Sequence, residues 1–80
     1  MNVQLKVFAG LKQFLKPEMS LELSDSLKVS ELLENLVSSY PDAAVVIKHS
    51  LVAVNDVMVA KEYSIKDGDT VLILPPIGGG

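Results

Sequence analysis

Only one stretch of this eighty-residue chain repeats with helical spacing, and that limits the architectures open to it. Val29, Leu32, Leu33, Leu36 and Val37 recur at i, i+3, i+4, i+7 and i+8, while Ser30, Glu31, Glu34, Asn35 and Ser38 fall between them, which defines an amphipathic helix. Tyr40-Pro41 ends it, because a residue before proline is pushed out of the helical region. Most of the remaining chain follows the period of a strand. Val3, Leu5 and Val7 alternate with Asn2, Gln4 and Lys6; Met19, Leu21 and Leu23 alternate with Glu18, Ser20, Glu22 and Ser24. These two strands are expected to form a hairpin-like pair, joined through a turn or helical piece from Gly10 to Lys16 and past Pro17. Leu51-Val52-Ala53-Val54 reads as a further strand, Asn55-Asp56 as a tight turn, Val57-Met58-Val59 as a short return strand and Thr70 to Leu74 as the last strand. The expected order is strand, strand, helix, strand, short strand, strand: an α+β fold in which one main helix covers one face of a sheet.

One segment leaves alternatives open. Ala43-Ala44-Val45-Val46-Ile47, within the stretch 42–49, fits a second helical piece or a buried strand; its length does not separate the two, and the helical reading is preferred. Lys66-Asp67-Gly68-Asp69 is a turn before the last strand, and turn chemistry alone accounts for its glycine and aspartates.

One helix leaves the second face of the sheet uncovered, and that face should be polar. The sequence has an apolar surplus instead. By parity Phe8 falls on the polar side of its strand, Val71-Leu72-Ile73-Leu74 is apolar on both parities, and Met58 adds another large side chain. An uncovered apolar patch marks a partner surface. The competing explanations are that residues 42–49 fold across it, or that the last strand is central and buried on both sides.

Beyond the last strand come Pro75-Pro76-Ile77 and then Gly78-Gly79-Gly80. Prolines fix φ and stiffen the exit. Glycines without Cβ can thread a narrow channel and leave the final carbonyl open to attack. Extended at roughly 3.3 Å per residue, residues 75–80 reach about 20 Å, enough to enter a neighbouring protein's active site. The plain alternative is a frayed terminus or an expression remnant. A carboxylate needs activation before it reacts, so another enzyme would have to supply it.

Composition narrows the function. With 49% hydrophobic residues over 80 positions the chain makes a single domain, 1–80, with a modest core and with 75–80 as its exposed tail. No apolar run approaches the roughly 20 residues that span a bilayer, and the start lacks the pattern of a secretion signal, so no membrane partner and a cytoplasmic location are expected. Seven scattered lysines, no arginine and a net charge of −3 give no footprint for nucleic acid. Without cysteine the chain has no thiol to carry sulfur and no thiolate metal site. His49 is the one histidine, beside Lys48, and Glu31, Glu34, Asp56, Asp67 and Asp69 fall on the helix's polar face or in turns. None of these has the paired, buried setting of a catalytic group. The chain reads as a substrate or subunit, non-catalytic alone.

Val7-Phe8-Ala9-Gly10-Leu11-Lys12, Val29-Ser30-Glu31-Leu32-Leu33, Tyr40-Pro41, Val52-Ala53-Val54-Asn55, Asp67-Gly68-Asp69 and Pro75-Pro76-Ile77-Gly78-Gly79-Gly80 resemble, in this order, the ubiquitin-like sulfur carriers that include the small subunit of molybdopterin synthase. The resemblance implies a β-grasp fold. It implies that an adenylyltransferase related to ubiquitin-activating enzymes, using ATP and Mg²⁺, activates Gly80, and that a sulfur-donor protein then supplies the sulfur of a thiocarboxylate. It implies no cofactor bound to this chain, and a large synthase subunit as partner in a heterotetramer. There the tail, Gly78 and Gly79 with Gly80, would deliver sulfur to cyclic pyranopterin monophosphate, on the way to molybdenum or tungsten cofactor. Phe8, Met58, Leu74, Pro75 and Pro76 correspond to the family's partner-binding surface. Relatives serve thiamin, tRNA thiolation or cysteine pathways, and others are joined to proteins as modifiers, so those remain the alternative destinations.

Overall fold

The computed structural model describes residues 1–76. Strand β1 (Asn2–Val7) pairs antiparallel with β2 (Glu18–Glu22), with Leu5 opposite Met19 and Val3 opposite Leu21, so both strands turn their apolar residues to the same side. The two are joined by a 3-10 turn at Ala9–Gln13, within and slightly ahead of the expected piece, and Leu11 is its buried residue.

Helix α1 (Val29–Ser39) covers the positions its periodicity defines, with Val29, Leu32, Leu33 and Leu36 buried. Glu31 reaches back so that Oε1 accepts from the Lys28 N–H at 2.9 Å, satisfying one amide that the first turn leaves without a partner. After Tyr40, Pro41–Ala43 form a 3-10 turn that runs into helix α2 (Ala44–Lys48). The helical reading of 42–49 therefore holds, and Ala43 and Ile47 are fully buried in the same core as α1. His49 closes α2, its Nδ1 lying 2.8 Å from the Val45 carbonyl oxygen.

Two very short strands escaped the sequence reading. β3 (Leu27–Lys28) and β6 (Ser64–Ile65) pair antiparallel in a separate two-stranded sheet. Two residues contain no alternation to detect, and the pairing joins segments far apart in the chain. The remaining strands are β4 (Leu51–Val54), β5 (Val57–Met58) and β7 (Thr70–Leu74). Val59 lies just beyond β5, and Leu23 and Ser24 just beyond β2, so the sequence drew both strands slightly too long.

The main sheet runs β2-β1-β7-β4-β5. β7 is parallel to β1 and antiparallel to β4, which puts the last strand at the centre. The register sets Leu5 beside Val71 and Val7 beside Ile73, and these beside Val54 and Val52; Val3 lies on the same face of β1. All seven are buried beneath α1 and α2 with Leu11, Leu15, Ile47 and Ile65. A mixed sheet with its main helix across one face is the β-grasp arrangement the resemblance implied.

Central placement did not bury β7 on both sides. Val71 and Ile73 are inaccessible, whereas Leu72 and Leu74 remain half-buried. Nor does α2 cross the second face, because its buried residues belong to the core on the helical side. Both competing explanations for the apolar surplus therefore fail.

Candidate functional site: the uncovered face of the sheet

Strand parity builds this face. Residues that alternate with the core in β1, β7, β4 and β5 must point the other way, and the register states which of them are neighbours. Lys6 pairs with Leu72, Leu72 with Ala53, and Ala53 with Met58, making one row across four strands. Leu74 pairs with Leu51 in the next row. Carried one residue past Val7–Ile73, the parallel register puts Phe8 beside Leu74, and Phe8 is still extended (φ −130°, ψ 166°).

Phe8 is 37% exposed, Met58 53% and Leu51 62%. Ala9 then adopts φ 50°, a left-handed conformation uncommon outside glycine, and turns the chain away from the sheet. Phe8 is thereby left at the rim of the face instead of continuing a strand.

The face divides by strand. Gln4, Lys6, Glu18 and Ser20 make the β1–β2 half polar, with Ser20 Oγ donating to Gln4 Oε1 at 2.9 Å and a Lys6–Glu18 ion pair at 3.8 Å. Both members of that pair are substantially exposed, so it adds little stability. The β7–β4–β5 half is apolar. An apolar patch bordered by polar residues is the composition of a protein docking surface. A small-molecule site would need a concave pocket with convergent polar groups, whereas Phe8, Leu51, Met58, Leu72 and Leu74 bring only apolar side chains together.

The structure therefore gathers Phe8, Met58 and Leu74, three residues singled out in the sequence, onto one face. Pro75, buried, and Pro76, exposed, follow directly from β7, so the tail leaves from the central strand of the sheet, which borders the apolar half on its inner side. Gly78, Gly79 and Gly80 lie outside the described residues. Leu51 is a member of the face that sequence reasoning did not select. In a strand reading Leu51-Val52-Ala53-Val54, parity separates Leu51 and Ala53 from Val52 and Val54 but does not say which set is buried. The pairing of Leu51 with Leu74 decides it.

Among the described residues no three His, Cys, Asp or Glu side chains come together as a metal site would require. Comparison with known proteins gives a consistent relationship. The model of the ThiS family matches residues 5–80. A molybdopterin synthase sulfur carrier subunit from Chlamydomonas reinhardtii is 34% identical over 65 residues, covering 79% of this chain and 78% of that protein. Among solved structures, small archaeal modifier protein 1 from Methanosarcina acetivorans superposes with a TM-score of 0.80 at 28% identity, covering 99% of this chain and 96% of that one. Subunits 1 and 2 of the molybdopterin-converting factor from Helicobacter pylori were solved as a complex; a chain of it superposes with a TM-score of 0.71 at 22% identity, over 100% of both chains.

Proposed function

This chain belongs to the ThiS family of ubiquitin-like β-grasp proteins, and on that premise we propose that it is the sulfur-carrying small subunit of a molybdopterin synthase. The observation that carries the proposal is the continuity between the apolar face and the tail: Leu72 and Leu74 lie on the face, and the same strand leads through Pro75 and Pro76 to the glycines. A partner that covers the face is placed to receive the end of the chain.

In this reading the large synthase subunit covers Phe8, Leu51, Met58, Leu72 and Leu74 while the terminal glycines enter its active site. Support for such a partner comes from the two-subunit complex of the Helicobacter pylori relative and from the name of the Chlamydomonas relative. The chemistry resides on Gly80. Its carboxylate attacks the α-phosphorus of ATP on a ubiquitin-activating-enzyme-like adenylyltransferase, pyrophosphate leaves, and an acyl-adenylate results. ATP and Mg²⁺ are held by that enzyme, not by this chain. Sulfide, released from a donor protein's persulfide by a thiol that is oxidised to the disulfide, displaces AMP to give the thiocarboxylate, which acts on cyclic pyranopterin monophosphate in the cytoplasm. This chain's contribution is to end in an unhindered carbonyl, on residues without Cβ, tethered to a strand of the docked face.

The likeness to small archaeal modifier protein 1 favours a second reading, in which an amine of another protein takes the acyl group in place of sulfur. Both readings need the same activation. ATP–pyrophosphate exchange by the adenylyltransferase of the same organism should depend on this protein and should be lost when Gly79 and Gly80 are removed. Exchange that persists after the deletion would exclude Gly80 as the activated group.

A further inference from the structure

The hairpin that carries Met58 has little apolar anchorage. Its strand β5 is two residues long, and Val57 and Met58 are 63% and 53% exposed. Val59, just beyond, packs half-buried against the core and donates its N–H to the Val52 carbonyl at 3.1 Å. At the other end the turn residues Asn55 and Asp56 take φ of 51° and 68°, the two positive values of a type I′ hairpin turn.

What holds the tip is polar. The Asn55 N–H donates to the Thr70 carbonyl at 2.8 Å, and the Thr70 N–H donates back to Asn55 Oδ1 at 3.0 Å, so the side chain extends the β4–β7 ladder beyond its last strand pair. Asn55 Nδ2 donates to Asp69 Oδ1 at 3.0 Å. The other Asp69 oxygen, Oδ2, accepts from the Lys66 N–H at 2.8 Å. Asp69 is only 8% exposed, and no cation pairs with it among the described residues. The Asn55–Asp69 contact thus ties the β4–β5 turn to the turn that opens β7.

We propose that Asn55 and Asp69 are a positioning pair: they fix the β4–β5 hairpin against the start of β7, and so set Met58 level with Leu72, one row from Leu51, for the partner. The inference rests on the docking role given to this face above. It extends that role to two polar residues, one of them nearly buried, that themselves contribute nothing to the apolar surface.

The bonding pattern supplies its own test, because exchanging the two side chains preserves every bond. With Asn55→Asp and Asp69→Asn together, a carboxylate at 55 accepts from Thr70 N–H and from the amide at 69, whose oxygen accepts from Lys66 N–H. Each single change breaks the pattern. Asn55→Asp sets two carboxylates where a 3.0 Å hydrogen bond had been, and Asp69→Asn leaves one amide oxygen to serve two donors. Asn55→Gly removes the side chain while keeping a residue at ease with the 51° φ, and provides a third variant should either single exchange fail to fold.

Affinity for the large synthase subunit of the same organism should be measured at a temperature where denaturation curves show each variant folded. The single variants should bind about tenfold more weakly, and the double exchange should return to within about threefold of wild type. Amide exchange of Val59 should accelerate in Asn55→Gly relative to that of Tyr40, which is hydrogen-bonded within the helical layer to Leu36. Folded single variants that bind as wild type does would overturn the positioning role, as would a folded double variant no better than the singles, or unchanged Val59 exchange. Wild-type protein that fails to bind would instead overturn the docking reading and the role of the pair with it.

Discussion

Replacing Leu51 separates docking from folding more cleanly than any other change on the uncovered face. Its side chain is 62% exposed, so the fold has already claimed a little over a third of it. Burying a whole leucine side chain is worth about 1.5–3 kcal/mol, which leaves about 1–2 kcal/mol for a partner to recover and under about 1 kcal/mol for the fold. Leu51→Ala should therefore weaken binding of the large subunit by about tenfold, while unfolding in urea changes by less than about 1 kcal/mol. Leu51→Glu adds a charge that stays solvated in the free chain and is stripped of water in the complex, so its loss should exceed about a hundredfold. Isothermal titration calorimetry beside urea denaturation measures both quantities. Folded Leu51→Glu protein that binds as tightly as wild type would show that the β7–β4–β5 half is not the contact surface.

Three further changes probe the core, a turn and the tail. Leu32→Ala removes a side chain that is 1% exposed beneath the sheet, and should cost about 2–5 kcal/mol in denaturant unfolding, a large share of the total stability of a domain this size. Gly68 has φ +86° and a Cβ built there would meet no atom within 4 Å, so Gly68→Ala should cost about 1–2 kcal/mol from backbone conformation alone, without the larger loss a clash would bring. Gly79→Ala should leave unfolding unchanged and slow sulfur transfer in single-turnover assays; normal turnover would contradict the narrow-channel argument.

The parts of this fold legible in the sequence are those with a long period. Five apolar residues at helical spacing fixed α1, and three alternating pairs fixed β1, because each element buries one face and keeps its pattern over several residues. Strand order was not legible, since pairing of β1 with β7 is a tertiary choice between segments more than sixty residues apart. The same choice concealed Leu51. Phe8 and Met58 could be singled out because they are large apolar residues in polar or short settings, whereas Leu51 opens an apolar run and differs from Val52 chiefly in the direction it faces. Asn55 and Asp69 were read as ordinary turn residues, and each does serve a turn. Their mutual bond depends on two turns meeting in space, which no local pattern reports.

If the last carbonyl of the chain carries the chemistry, intact mass spectrometry of protein isolated from its native host will detect it. A population should be present in which one carboxylate oxygen of Gly80 has been replaced by sulfur, localised by fragmentation to the terminal residue and absent from a host lacking the adenylyltransferase. A terminus that remains an ordinary carboxylate under conditions of active cofactor synthesis would contradict it.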